Sequence, residues 1–222
     1  MSNSLPRPAA PAPDETRSVL AIPAFRRLWQ AMAFGSLGDW LGLLATTALA
    51  QQLSGGNYAT ANFAIAGVFI ARLLPAVFLG PLAGVIADRL DRRMLMVVAD
   101  VIRFALYVSI PIVGNYFWLY TATILVECVS LFWSPAKDAT VPNLVPKEKL
   151  ESANQVSLFA AYGTAPIAAG LFAILALLSG AIAAAFPSFK GTSIDIALYI
   201  NALSFAFSAW TIFNLREIPK RH

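Results

Sequence analysis

Five ionisable side chains stand inside stretches that are otherwise apolar: Asp39, Arg72, Asp100, Arg103 and Glu127. In hydrocarbon each costs roughly 2.5–3.5 kcal/mol on insertion scales, so such groups face a bundle interior or a wetted cavity and take partners. Two uses suit them. Asp39, Arg72 and Glu127 can line a pathway for a polar substrate or for protons. Equally, ion pairs can fix helix packing and never meet a substrate; Asp39 and Arg72, opposite in sign on successive segments, suit either use. Glu127 is the better candidate proton carrier on this reading, since no second basic residue shares its depth. Asp100 and Arg103, one turn apart toward the inner end of their segment, read as a local pair. Other chemistry is short of parts. The one histidine is the terminal His222, and the one cysteine, Cys128, lies in an apolar run. No intrachain disulfide, metal site, cofactor or Ser–His–Asp enzyme is expected.

The segments that must hold these charges are hydrophobic ones. Of the 222 residues 58% are hydrophobic and only 13% charged, with a mean hydropathy of +0.67. A soluble domain carries about a quarter charged residues, so the composition indicates an all-α integral membrane protein. It argues against a nucleic-acid binder despite the net charge of +4 and a pI near 9.4. At about 20 residues per crossing, six spans fit: about 28–53, 60–86, 94–113, 117–133, 150–186 and 194–215. Pro146, Glu148 and Glu151 mark the interfacial start of the fifth, since a first-turn proline and acidic residues suit a helix N-terminus. Residues 1–24, with Pro6, Pro8, Pro11 and Pro13, read as a disordered cytoplasmic tail ahead of a membrane domain over 25–222.

Lysine and arginine accumulate on the cytoplasmic side of membranes. Arg26 and Arg27 precede the first span; Arg89, Arg92 and Arg93 follow the second. Lys137, Lys147 and Lys149 follow the fourth, Arg216, Lys220 and Arg221 the sixth, and the intervening loops hold Lys190 alone. Both termini are expected inside. Gly38 with Gly42, and Gly80 with Gly84, have the four-residue spacing that lets helices approach closely in lipid. Trp29, Tyr58, Tyr116, Trp118 and Trp133 fall near span ends, as interfacial aromatics do.

The loop after the second span reads Gly84-Val85-Ile86-Ala87-Asp88-Arg89-Leu90-Asp91-Arg92-Arg93. It resembles the signature Gly-x-x-x-Asp-Arg-x-Gly-Arg-Arg between helices two and three of the major facilitator superfamily. Asp91 replaces the usual glycine, as in exporters related to the enterobactin exporter. Ser134 to Asn154 looks like the loop between helices four and five of that branch. Ala165-Pro166-Ile167-Ala168-Ala169-Gly170 is similar to a softened antiporter motif, matching it at Pro166 and Gly170. The resemblance covers about Phe25 to Arg221.

What the resemblance implies is a set of expectations. The fold would be six helices in two three-helix inverted repeats, one half of a facilitator. Gly84, Asp88, Arg89, Arg92 and Arg93 would form a gating latch. The function would be proton-coupled export of a small molecule across the plasma membrane, by alternating access against a second six-helix half. That half would lie in a C-terminal continuation or another chain. The wording of Ser134 to Gly163 is also similar to actinobacterial facilitator domains fused to thymidylate kinase, so a membrane anchor or regulatory module is the alternative. No phosphate-binding Gly-x-x-x-x-Gly-Lys loop is present in this sequence.

Overall fold

The computed structural model describes residues 19–87, 89–185 and 192–217, all helix and connecting turn. The proline-rich segment through residue 18, Asp88 and Lys190 lie outside these residues. Among these residues the helices in chain order are α1 Pro23–Leu53, α2 Tyr58–Ala87, α3 Arg92–Val113, α4 Tyr116–Leu144, α5 Leu150–Tyr162, α6 Ala165–Ala185 and α7 Ser193–Phe213. A 3-10 turn, Lys147–Lys149, leads into α5 behind Pro146. The tail expected to run to residue 24 gives way earlier. Val19 is fully buried among Phe25, Leu28 and their neighbours, because Val19, Leu20 and Ile22 are apolar enough to join the core.

Helix boundaries follow local chemistry. The α1–α2 turn is the Ser54-Gly55-Gly56-Asn57 cluster. The Asn115 side chain opens α4 by accepting from the Trp118 N–H at 2.9 Å, and Thr192 with Asp195 forms a reciprocal capping box at α7. Asp91 explains itself in the same way. Its carboxylate accepts from the Met94 N–H at 2.9 Å and caps α3, a use that a glycine could not supply. Replacing Asp91 by alanine is expected to lower stability by about 1 kcal/mol, and by asparagine very little. Thermal unfolding in detergent, followed by circular dichroism, measures both; equal melting of all three proteins would remove the cap from the account.

Two expected boundaries move. The fourth span does not stop at Trp133, since α4 runs through Pro135 and Pro142 to Leu144. A proline removes one backbone hydrogen bond and bends a helix, but it need not end one whose far side is packed. Ala136, Thr140, Val141 and Leu144 are all buried beyond it. The fifth span, expected to be continuous, is two helices that meet at Gly163-Thr164. Pro166 has no N–H for the Tyr162 carbonyl four residues back, and the break falls one turn before it.

Among the described residues five helical columns are long and apolar enough to cross a membrane: Tyr58–Ala87, Arg92–Val113, Tyr116–Leu144, Lys147–Ser179 and Ser193–Phe213. The 31-residue α1 has the length but is outside that set. It carries Arg26, Arg27, Gln30, Ser36, Asp39, Gln51 and Gln52. It packs against more helices than any other, α2, α4, α5, α6 and α7, so much of its surface meets protein. The most extensive seams are α1 with α7, α3 with α7, α2 with α4, and α3 with α4.

Packing divides the bundle into two apolar cores. One gathers Leu41, Ala45 and Leu49 of α1 with Val68, Tyr107, Leu119, Val126, Leu198 and Phe205. The other gathers Phe25, Leu28 and Met32 with Met96, Ala136, Val141, Ala153 and Ile212. Between them, on each of α1, α2, α3 and α4, lies a charged residue. The five charges form one layer between the two cores, with Asp100 and Arg103 its buried members.

Candidate substrate pathway

The charged layer opens on a cavity of about 320 Å³ lined by Ser36, Asp39, Trp40, Arg72, Glu127 and Ser130, with Leu43 and Ala161 completing the wall. The structure therefore brings Asp39, Arg72 and Glu127 to one place, from three helices. Their pairing is different from that expected. Arg72 Nη2 lies 3.1 Å from Glu127 Oε1, with the two side chains 18% and 20% exposed. The reason for favouring Glu127 as an unaccompanied carboxylate fails, because α2 and α4 pack side by side and put Arg72 against it. Asp39 instead faces α3, with Oδ2 3.8 Å from Arg103 Nη1.

Asp100 and Arg103 pair as expected, yet they are no isolated interfacial pair. Asp100 is 0% exposed. It accepts from Ser208 Oγ of α7 at 2.6 Å and from Trp133 Nε1 of α4 at 3.3 Å, besides Arg103. The Arg103 guanidinium sits over the Phe205 ring, 4.3 Å from its centroid, and 5.5 Å from that of Trp133. A buried carboxylate needs its lone pairs filled and a buried guanidinium needs acceptors or π-faces. Both conditions are met here by three neighbouring helices. Trp133 is thus no interfacial aromatic; with α4 running on past Pro135, its ring falls inside the bundle.

The cavity wall is braced by α1. Trp40 Nε1 donates to the Ala161 carbonyl at 2.8 Å, and Trp29 Nε1 to the Val156 carbonyl at 2.8 Å. Both tie α1 to the short helix α5 just ahead of its break. Sequence reading missed Trp40 as a wall of the cavity and Trp133 and Ser208 as partners of Asp100. The signal for Trp40 was its place beside Asp39; for Ser208 there was none, because a serine in an apolar helix commonly bonds its own backbone.

The other candidate residues are dispersed. Arg92 Nη1 donates to the Ala139 carbonyl of α4 at 2.8 Å. Arg93 donates to the Phe213 carbonyl at the end of α7 and lies over the Phe213 ring at 5.3 Å. Together they tie the start of α3 to two other helices. Arg89 is exposed, and Asp88 lies outside the described residues. Gly84 was expected to admit a close helix, but a Cβ built on it meets nothing within 4 Å among the described residues, and the same holds for Gly80. The close approach belongs to Gly38 and Gly42, whose Cβ positions fall against Ser204, Asn201 and Tyr107. Pro166 and Gly170 are both exposed near the start of α6, away from the charged layer. Among the described residues no group of three His, Cys, Asp or Glu side chains could hold a metal.

Comparison with known proteins places this architecture. Residues 15–204 match the transmembrane secretion effector family of MFS, or major facilitator superfamily, proteins. An uncharacterized MFS-type transporter of Bacillus subtilis, YfiS, is 30% identical over 189 residues, covering 85% of this chain and 41% of that protein. The putative bacilysin exporter BacE of Bacillus amyloliquefaciens is 30% identical over 190 residues, covering 84% of this chain and 42% of the exporter. Macrolide efflux protein A of Enterococcus faecalis is 35% identical over 82 residues, covering 35% of this chain and 25% of the efflux protein. The chain spans less than half the length of these relatives. No solved structure matches. A bundle of apolar helices around a charge-lined cavity, matched over most of its length by MFS-type transporters, is a multi-pass membrane protein: the chain belongs to the transmembrane secretion effector family of the major facilitator superfamily.

Proposed function

We propose that the chain forms one six-helix half of a plasma-membrane transporter that exports a small molecule in exchange for protons. The second half would close the cavity from the opposite side, so that rocking of one half on the other exposes the site alternately to each side of the membrane. The observation that carries this reading is the cavity itself. Asp39, Arg72 and Glu127 converge on about 320 Å³ of open space between two apolar cores. Charges needed merely for packing have no use for a cavity.

Counting α1 as a span and the α5–α6 column as one, the neighbour pattern supports two three-helix repeats. Exchanging the first three columns with the last three maps the α1–α7 seam onto α3–α4, and the α2–α4 seam onto the packing of α1 against α5 and α6. The α3–α7 seam maps onto itself. All the Lys and Arg residues that flank the helices, except Lys190, stand at the same ends, which supports cytoplasmic placement of both chain ends. Arg92 and Arg93, anchored on α4 and α7 carbonyls, suit a latch at that cytoplasmic face. The relatives named as exporter and efflux protein support outward movement of substrate.

The test is substrate-driven proton movement. In inside-out vesicles that hold this chain with a six-helix second half, a pre-formed pH gradient is reported by acridine dye quenching. Adding a panel of macrolides and short peptide antibiotics is expected to dissipate the gradient for at least one compound, and a protonophore to abolish its accumulation. If no compound moves protons while the protein is present in the membrane at normal amounts, the export reading falls.

A further inference from the structure

We propose that one anionic phospholipid binds on the outer side of α1, its headgroup on Arg26 and Arg27 and its two acyl chains in the grooves on either side of Phe34. The site is separate from the charged cavity and does not depend on the transport reading. Ser36, Asp39, Trp40 and Leu43 turn to the cavity. Phe34, Gly38 and Leu41 stand about half a turn round α1 from them and turn to α7. One groove, of about 280 Å³, runs between α1 and α7 past Phe34, Leu41, Leu203 and Phe207. The other, of about 250 Å³, runs between α1 and the α5–α6 column past Ala33, Phe159 and Ile167. Phe34 and Leu37 line both, so these two side chains divide neighbouring channels. Phe34, Leu203 and Phe159 are exposed, and both channels open outward.

Charge stands at the mouth of both. The α1 and α7 helices run antiparallel, with Arg27 3.5 Å from Glu217, Phe34 and Phe207 ring centroids 4.6 Å apart, and Gly38 against Ser204. Arg27, Phe34 and Leu41 recur every seven residues and share one face. Along the axis Phe34 is about 10 Å and Leu41 about 21 Å from Arg27. Half the hydrocarbon of a bilayer is about 15 Å thick, so a chain anchored at Arg27 lies along the first groove. Arg26 heads the second in the same way, with Gln30, Ala33 and Leu37 following at helical spacing. Trp210, exposed one turn before the end of α7, marks the headgroup level, where interfacial tryptophans sit. Arg26, Arg27 and Arg216 are exposed there against the single carboxylate of Glu217. The start of α5 adds no net charge, since Lys147 and Lys149 face Glu148 and Glu151. In lipid an apolar groove attracts a chain no better than any other apolar surface, so the selecting element is the basic mouth, which favours an anionic headgroup. Another helix does not suit the grooves. The notch at Gly38 is already filled by Ser204 and Asn201, and what remains outside it is bulky Phe34, Leu203 and Phe207.

The experiment uses the full 222-residue chain in nonionic detergent micelles, titrated with phosphatidylglycerol or phosphatidylcholine carrying brominated acyl chains. Bromine quenches tryptophan fluorescence at contact; Trp29 lines the second groove and Trp210 lies beside Phe207 of the first. Phosphatidylglycerol is expected to quench saturably, and phosphatidylcholine to need at least about tenfold more lipid, from the charge at the mouth. Arg26→Gln and Arg27→Gln are each expected to weaken phosphatidylglycerol binding about fivefold, the worth of one basic residue near a membrane surface, and to leave phosphatidylcholine unchanged. Exposed ion pairs contribute little to folding, so both variants should melt like the parent. Glu217→Gln, which frees Arg27, should tighten phosphatidylglycerol binding. Ala33→Phe fills the second groove without touching a charge and should weaken both lipids. Equal quenching by the two lipids, or phosphatidylglycerol binding indifferent to both arginine variants, would mean unselected boundary lipid and overturns the inference. Indifference to Ala33→Phe overturns it by removing the grooves. Displacement of the lipid by sodium phosphate, but not by sodium chloride of equal ionic strength, overturns it by giving the arginines to a free anion.

Discussion

Replacing Gly38 by leucine is expected to prevent α1 from docking on α7 and to cost more than about 3 kcal/mol, beyond the usual range for an overpacked core. A Cβ at this position already falls within van der Waals contact of Ser204 Oγ and Asn201 Oδ1, before any longer side chain is added. One turn on, a Cβ at Gly42 meets the Asn201 amide and the Tyr107 ring. Asn201 and Tyr107 have almost no exposed surface, so neither can swing aside into lipid. In a membrane the association of helices depends on such close backbone approach, because lipid tails are as apolar as leucine and burial gains nothing. The α1–α7 seam is the most extensive in the bundle, and loss of it would also release Asp39 from Arg103. Gly80→Leu supplies the contrast, since a Cβ there meets nothing, and its stability should match that of the parent. Size-exclusion profiles and thermal unfolding in detergent measure both variants. A Gly38→Leu protein that elutes and melts like the parent would show that the two helices do not meet as described.

The comparison between Gly38 and Gly84 shows what a sequence can and cannot say about such a bundle. Four-residue glycine spacing reports that a notch exists, but not which way it faces, because rotation of the helix about its axis is set by the whole of its packing. The same limit governs the charges. Asp39, Arg72 and Glu127 were legible as a group, since a charge in an apolar run is costly at any rotation. Their pairing was not. Successive helices suggested Asp39 with Arg72, whereas α2 lies more extensively against α4 than against α1, and Arg72 goes to Glu127. Asp100 and Arg103 were read as local because the pair is complete at three residues' separation. Ser208, 108 residues away, entered through the α3–α7 seam, which no spacing announces. Prolines misled in both directions: Pro135 and Pro142 lie within a helix, while Pro166 marks a real break. The difference lies in whether residues beyond the proline are held by neighbours.

Arg103→Leu is expected to be the other large loss, at about 3–5 kcal/mol, the cost of leaving one member of a buried ion pair without its counterpart. Asp100 would keep its bonds from Ser208 and Trp133, but two neutral donors do not balance a full charge at zero exposure. Asp39 would lose its guanidinium neighbour in the same step. Asp100→Asn alone should cost less. Arg103 then still faces Asp39 and rests on Phe205 and Trp133, and the amide can go on accepting from Ser208. Combining the two substitutions removes the stranded charge, so the double variant should be more stable than Arg103→Leu by itself. The two losses are therefore strongly non-additive, as expected for residues in one network. Unfolding of the four proteins of this cycle in mixed micelles gives the coupling directly. Additive losses would mean that Asp100 and Arg103 are each solvated independently, and that the layer between the two cores is wet throughout. A large coupling would establish that Asp100 and Arg103 are held as one buried pair between the two cores.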